Sequence, residues 1–208
     1  MLTRTPYRTA PYGKDYLKAD QNNYWMAQEK YIMVFQDVRG RFQSEGEYED
    51  VRPYNDHKKT NNDVDESSDT YDTIEWLLHN VQRNNGNVGM IGISYPGFYA
   101  AQGLIGAHPA LKAVSPQAPI SDWYVGDDFH HNGALMLIDA FNFFRSFGKP
   151  RPTLIVEWPP GFHYPTEDGY SFLLKAGSLS NIKEQYYGDT SKFWNDLFAH
   201  PNYDEFWK

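Results

Sequence analysis

Between Asn84 and Leu111 lie 28 residues without Asp, Glu, Lys or Arg. A stretch of that length raises the question of a membrane span. It carries six Gly and two Pro, however, and reads as strand, turn and helix, so a span is rejected. Val88-Gly-Met-Ile-Gly-Ile93 is a short apolar run suited to a strand buried on both faces of a parallel sheet. Tyr95 to Gly106 follows as a helix. Gly92-Ile-Ser-Tyr-Pro-Gly97 therefore joins a buried strand directly to a helix. A Ser at such a turn takes a strained backbone that exposes its hydroxyl above the sheet. Small residues are needed beside it, because strand and helix backbones approach closely. The usual elbow has Gly two residues after the Ser; here Pro96 stands there and Gly97 follows. Pro suits a first helical turn, where its missing N–H costs nothing. The helix N-terminus offers the Tyr95 N–H to a developing oxyanion. Ser94 is read as a nucleophile in preference to a passive residue of a glycine-rich turn.

The flanking segments repeat the same grammar. Tyr31-Ile-Met-Val-Phe35 is a second apolar run, predicting a strand over 31–36. Tyr71 to Val81 reads as a helix, with Tyr71, Ile74, Leu78 and Leu77, Val81 at spacings of three and four. Asp69 or Thr70 is its expected cap, and Asn84-Asn-Gly-Asn87 its stop. Leu111 to Pro116 gives a third strand, extending to 117. Strands alternating with helices across short joints imply a parallel sheet. Met1-Leu-Thr looks like the tail of a further strand. Residues 1–30 are otherwise turn-rich, with Pro6, Pro11 and Gly13. After Pro119 the texture changes. Ala134 to Phe147 reads as a helix with Ala134, Ile138, Phe141 and Phe144 on one face. Pro150 to Pro165 is irregular apart from a strand over Thr153 to Glu157. Ser191 to Phe198 and Asn202 to Lys208 are short helices. The expected division is an α/β core over 1–118 and a helical cap over 119–208.

Composition excludes several functions. The 19 basic and 27 acidic residues give a net charge of −8, which argues against a nucleic-acid partner. Hydrophobic residues at 40% and aromatics at 17% exclude a disordered chain. With no Cys, disulfides, thiolate metal sites and a Cys nucleophile are ruled out. Ten acids against three basic residues lie between Glu45 and Asp72. Asp63, Asp65, Ser67 and Asp69 alternate as in a calcium loop, yet Ser68 stands where that loop needs Gly and Ile74 where it needs Glu. A solvated acidic loop leading into a helix is the better reading, and no metal or cofactor is expected. Met1-Leu-Thr-Arg-Thr-Pro-Tyr7 has no apolar core of a signal peptide.

Gly92-Ile-Ser-Tyr-Pro-Gly97, preceded by Asp37-Val-Arg-Gly-Arg-Phe-Gln-Ser-Glu-Gly46 and Asp72-Thr-Ile-Glu-Trp76, resembles the X-prolyl dipeptidyl peptidase and cocaine-esterase group of α/β-hydrolases. Within it, the α-amino acid ester hydrolases and glutaryl-cephalosporin acylases look most similar. Arg4-Thr-Pro-Tyr7, Gly126-Asp-Asp-Phe-His-His-Asn-Gly133 and His200-Pro-Asn-Tyr-Asp-Glu-Phe-Trp207 extend the likeness over essentially the whole chain. The resemblance implies an α/β-hydrolase core with a helical cap and a serine hydrolase acting on α-amino acid esters or related acyl compounds. It implies Ser94 as nucleophile, the Tyr95 backbone N–H as one oxyanion donor and the Tyr7 hydroxyl as the other. It makes Asp128 a carboxylate that holds the substrate's α-ammonium group, a match of charge that fits the chemistry. Without the resemblance Tyr7 is only an aromatic beside a Pro, and a helix N-cap for the following segment is the competing reading of Asp127 and Asp128. His130 and His131 receive no role.

In such enzymes the triad runs Ser, Asp, His along the chain, with the last two after the cap. Only 114 residues follow Ser94, so the triad Asp and His are expected beyond Lys208, as is a C-terminal jelly roll. The chain is thus expected to be an internal piece of a longer protein, inactive by itself. The partner implied is a small acyl or amino-acid ester substrate, with no nucleic acid and no membrane. The resemblance allows a homo-oligomeric parent and a periplasmic or secreted bacterial setting. A non-catalytic remnant, an X-prolyl peptidase and a simple esterase are the alternatives.

Overall fold

The computed structural model describes residues 1–12, 24–145, 147–149 and 151–208. Gly13 and Pro150, and position 146 of the expected Ala134–Phe147 helix, lie outside the described residues. Two compact units form. The first comprises Met1–Glu47, Val51–Ile120 and Leu154–Val156, the second Tyr48–Asp50, Ser121–Thr153 and Glu157–Lys208.

In the first unit the strands are β1 (Leu2–Thr5), β2 (Val34–Asp37), β3 (Val88–Ile93) and β4 (Leu111–Gln117). All pairings are parallel, in the order β2-β1-β3-β4. The helices are α1 (Tyr24–Gln28), α2 (Glu66–Asn80) and α3 (Tyr95–Gln102). β2 starts three residues later than the apolar run predicts. Its partner β1 is four residues long and pairs Leu2 with Val34 through Thr5 with Asp37, which leaves Tyr31 and Ile32 exposed.

α2 starts at Glu66, five residues before the periodicity places it, and Asp65 rather than Asp69 or Thr70 caps it. The Asp65 carboxylate accepts from the Ser68 N–H and the Ser68 hydroxyl returns to the Asp65 N–H, a closed capping box. The first turns bury polar residues, so an apolar stripe cannot reveal them. Arg4 of β1, 1% exposed, donates to the Glu66 carbonyl at 3.0 Å and the Thr70 hydroxyl at 2.8 Å. It also lies 3.2 Å from the Glu66 carboxylate. Arg39 grips both oxygens of Asp69. Asp63 is spent on the turn at Lys59 and Thr60. The alternating acids thus cap and pair, and among the described residues no cluster of His, Asp and Glu is arranged to hold a metal ion.

The second unit contains a short hairpin, β5 (His130–His131) with β6 (Ala134–Leu135). Helices α4 (Leu137–Phe144), α5 (Gly169–Ala176) and α6 (Leu179–Ile182), a π-turn over Lys183–Tyr187, and α7 (Lys192–Ala199) follow. Phe141 and Phe144 are fully buried, and Trp194 stacks on Tyr187 with ring centres 4.1 Å apart. The Tyr187 hydroxyl donates to the Phe141 carbonyl. The expected helix from Ala134 begins instead at Leu137, because Ala134 and Leu135 are used in the hairpin. Thr153 to Glu157 forms no strand, although the Ile155 N–H donates to the Phe42 carbonyl. Asn202 to Lys208 forms turns, not a helix. No helix among the described residues is long and apolar enough to cross a membrane.

Candidate active site

The strand order locates the site before any side chain is considered. From β1 the chain crosses one way to β2, then returns past β1 to β3 and on to β4. The direction of winding reverses between β1 and β3, and ligands of open parallel sheets bind outside the strand ends at that point. Two segments leave the sheet there: residues 6–12 after β1, carrying Tyr7, and Ser94 after β3.

Ser94 stands between β3 and α3 with φ 62° and ψ −123°. A positive φ is strained for a residue with a side chain and clusters at functional turns. The turn is held from both sides. The Ser94 N–H donates to the Gln117 carbonyl at the end of β4, and the Ser94 carbonyl accepts the first helical bond from Phe98. The Ser94 side chain makes no capping bond, and the residue is exposed. Gly97 permits the contact, since a Cβ there would lie 2.4 Å from the Gln117 carbonyl oxygen. The close-approach glycine stands one place later than usual, and Pro96 occupies the first turn of the helix.

Tyr95 opens α3, where first-turn N–H groups point out of the helix end. Its side chain is buried, stacks on Tyr99 at 5.3 Å and accepts from the Val51 N–H at 2.7 Å. Tyr7 packs edge-on against Tyr95 with centroids 6.0 Å apart, and it remains 37% exposed. The structure therefore brings Tyr7 to the first residue of the elbow helix, as the winding reversal requires. Glu75 and His108 form an acid–imidazole pair at 2.7 Å. However, His108 precedes the N-terminal end of β4, and Ser94 lies past the C-terminal end of the parallel strand β3. A cavity of about 830 Å³ lined by Met1, Leu2, Val34, Val88 and Lys112 also opens at that opposite end.

Asp128 belongs to the second unit, in the segment leading into β5. Asp127 braces this segment by accepting from the Ser121 and Asp128 N–H groups. Neither residue caps a helix: a hairpin follows, and α4 begins after Met136 with no side-chain cap. Partial desolvation, and then the charges of Asp127 and Asp139, push the Asp128 carboxyl above its usual range. His130 is buried, its Nδ1 against the Trp123 carbonyl at 2.9 Å and its ring stacked on Tyr124. Burial lowers its pKa despite that bond. The sequence reading does not single out Asp37 or Val51, which hold the surroundings of Tyr7 and Tyr95. An Asp closing an apolar strand run is the signal available for Asp37; Val51 acts through its backbone and leaves none.

A parallel sheet carrying a strained Ser between strand and helix at its winding reversal is that of an α/β-hydrolase. The sequence profile of the X-Pro dipeptidyl-peptidase (S15) family matches residues 1–208, and the chain belongs to that family of hydrolases. The cocaine esterase of Rhodococcus sp. (strain MB1 Bresler) is 32% identical over 137 residues, 65% of this chain and 21% of the relative. The Xaa-Pro dipeptidyl-peptidase of Lactiplantibacillus plantarum is 29% identical over 160 residues, 70% of this chain and 18% of the relative. Among solved structures, an aminopeptidase from the marine sediment archaeon Thaumarchaeota archaeon superposes with a TM-score of 0.86 at 35% identity, covering 99% of this chain and 34% of its own. A selenomethionine-labelled α-amino acid ester hydrolase superposes with a TM-score of 0.82 at 37% identity, covering 99% and 33%. The chain thus spans about a third of the solved structures' length and about a fifth of the curated relatives' length.

Proposed function

We propose that this chain is the nucleophile-bearing part of a serine hydrolase that cleaves α-amino acid esters or related acyl compounds through an acyl-enzyme on Ser94. The observation that carries the reading is the exposed Ser94 at φ 62°, at the head of α3, whose first residue Tyr95 packs against Tyr7. An acyl carbonyl attacked by Oγ develops an oxyanion. The Tyr95 N–H and the Tyr7 hydroxyl are the donors proposed to receive it. A serine hydroxyl needs a base to take its proton as the bond to carbon forms. That base, a His, and the Asp that orients it are proposed to come from the remainder of the longer protein. The core and cap division at residues 118 and 119 belongs to the same reading, in which Asp128 is the carboxylate for the substrate's α-ammonium group. Its carboxylate is crowded by Asp127 and Asp139, a repulsion that a substrate ammonium would relieve.

Two relatives favour a free amine beside the scissile acyl group, since their names are aminopeptidase and α-amino acid ester hydrolase. Simple esterase and X-prolyl peptidase activity are the second reading, favoured by the two curated relatives. Turnover of an α-amino acid ester beside its des-amino analogue, by the complete protein and its Asp128→Asn variant, separates them. The reading predicts a preference for the amine of at least tenfold that Asp128→Asn removes. Equal rates on both esters would leave only the second reading.

A further inference from the structure

Tyr7 lies in an irregular segment with no helix or strand of its own to fix it, yet a donor aimed at an oxyanion must be placed to within fractions of an ångström. The segment is tied on both sides. Before Tyr7, the Pro6 carbonyl accepts from Arg41 Nε at 3.0 Å, and the Tyr7 N–H donates to Thr5 Oγ1 at 3.0 Å. After it, the Thr9 N–H donates to Asp37 Oδ1 at 2.9 Å and the Tyr12 hydroxyl to Oδ2 at 2.6 Å. The Gln43 N–H joins Oδ2 at 3.3 Å. Desolvation and the Asp37 bond push the Tyr12 pKa up to about 12, so the phenol stays a donor.

Asp37 is itself anchored in the sheet. It is the last residue of β2, opposite Thr5, and only 4% exposed. Its carbonyl accepts from Ser44 Oγ at 2.5 Å. Bonds to a buried carboxylate are charge-assisted and short. One carboxylate on β2 therefore closes the segment that leaves β1, and Tyr7 sits inside that closure. We infer that Asp37 is a positioning residue that holds the Tyr7 hydroxyl in place for catalysis. The inference rests on the oxyanion role proposed above for Tyr7.

The test is a double-mutant cycle on Asp37 and Tyr7 in the complete enzyme, with amide exchange measured on the same proteins. Deleting an oxyanion donor costs about 10²–10³ in kcat, and misplacing a group by 1 Å about 10². Asp37→Asn is expected to lower kcat about 10–10²-fold with KM little changed, and to lower it no further when Tyr7 is already Phe. In the complete enzyme the Thr9 amide should exchange faster in Asp37→Asn while the β3 amides keep their protection. Should Asp37→Asn fail to fold, Tyr12→Phe removes one anchor only and should give the same Tyr7-dependent pattern, several-fold in size. An equal loss in both backgrounds, or an unchanged kcat, overturns the positioning role. Wild-type kcat in Tyr7→Phe alone removes Tyr7 from the oxyanion site. A faster Thr9 exchange in that case marks Asp37 as structural, so the two failures are distinct.

Discussion

A methyl group on residue 92 would sit 2.0 Å from the Pro96 carbonyl oxygen and 2.2 Å from its carbon. These are backbone atoms of the turn that carries Ser94, so they can yield only by opening the elbow. Forced overpacking costs about 1–3 kcal/mol, whereas a 1 Å shift at a reacting centre costs about 10² in rate. Gly92→Ala in the complete protein is thus expected to lose about 10² in turnover while keeping most of its urea midpoint. Wild-type turnover would show that the tight elbow is dispensable. The importance of Gly92 is legible in the sequence because it rests on backbone proximity within six residues. The ring of Tyr7 against Tyr95 is not, because 88 positions separate them and only the strand order brings them together.

At the scale of elements, α2 shows where periodicity fails and electrostatics takes over. Its first two turns face Arg4 and Arg39 with Glu66, Asp69 and Thr70, so the buried face is polar there and an apolar pattern starts only at Tyr71. Asp65 caps this helix and also meets Lys58 at 2.6 Å. Against the desolvation that would raise it, the Lys58 ammonium and the Asn55 and Ser68 N–H groups hold its pKa far below the usual carboxylate range. A depressed acid contributes stability that is present above its unfolded pKa of about 3.9 and fades as pH falls below that. Asn keeps the cap but not the charge. Asp65→Asn is predicted to cost about 2 kcal/mol at pH 6, the worth of hydrogen bonds to a charged group. The gap to wild type should narrow steadily towards pH 2.5 in thermal melts. A gap independent of pH would show that the Asp65 charge contributes nothing. β2 teaches the same lesson more simply. The apolar run shows that a strand exists, and only the four-residue partner β1 determines where pairing begins.

At the scale of the molecule, the alternation of buried strand and helix foretells the parallel sheet, and the second unit's Phe-rich helix foretells its core. The hairpin at His130–Leu135 and the helices between Pro165 and Ser191 are hidden, since segments this short carry too few periods to register, whereas α7 is the helix expected over Ser191 to Phe198. Ser94, Tyr7 and Tyr95 gather at one winding reversal, and the chemistry proposed for them requires a base that is proposed to lie outside residues 1–208. A fluorophosphonate reacts with a serine only when that serine is activated. Labelling the complete protein, its Ser94→Ala variant and the 1–208 chain, followed by peptide mass mapping, therefore tests whether Ser94 is the nucleophile. One phosphonylated residue is expected in the complete protein, Ser94, with no label in Ser94→Ala and none above background in the 1–208 chain. Label on another residue of the complete protein, or ester hydrolysis that survives Ser94→Ala, would contradict it.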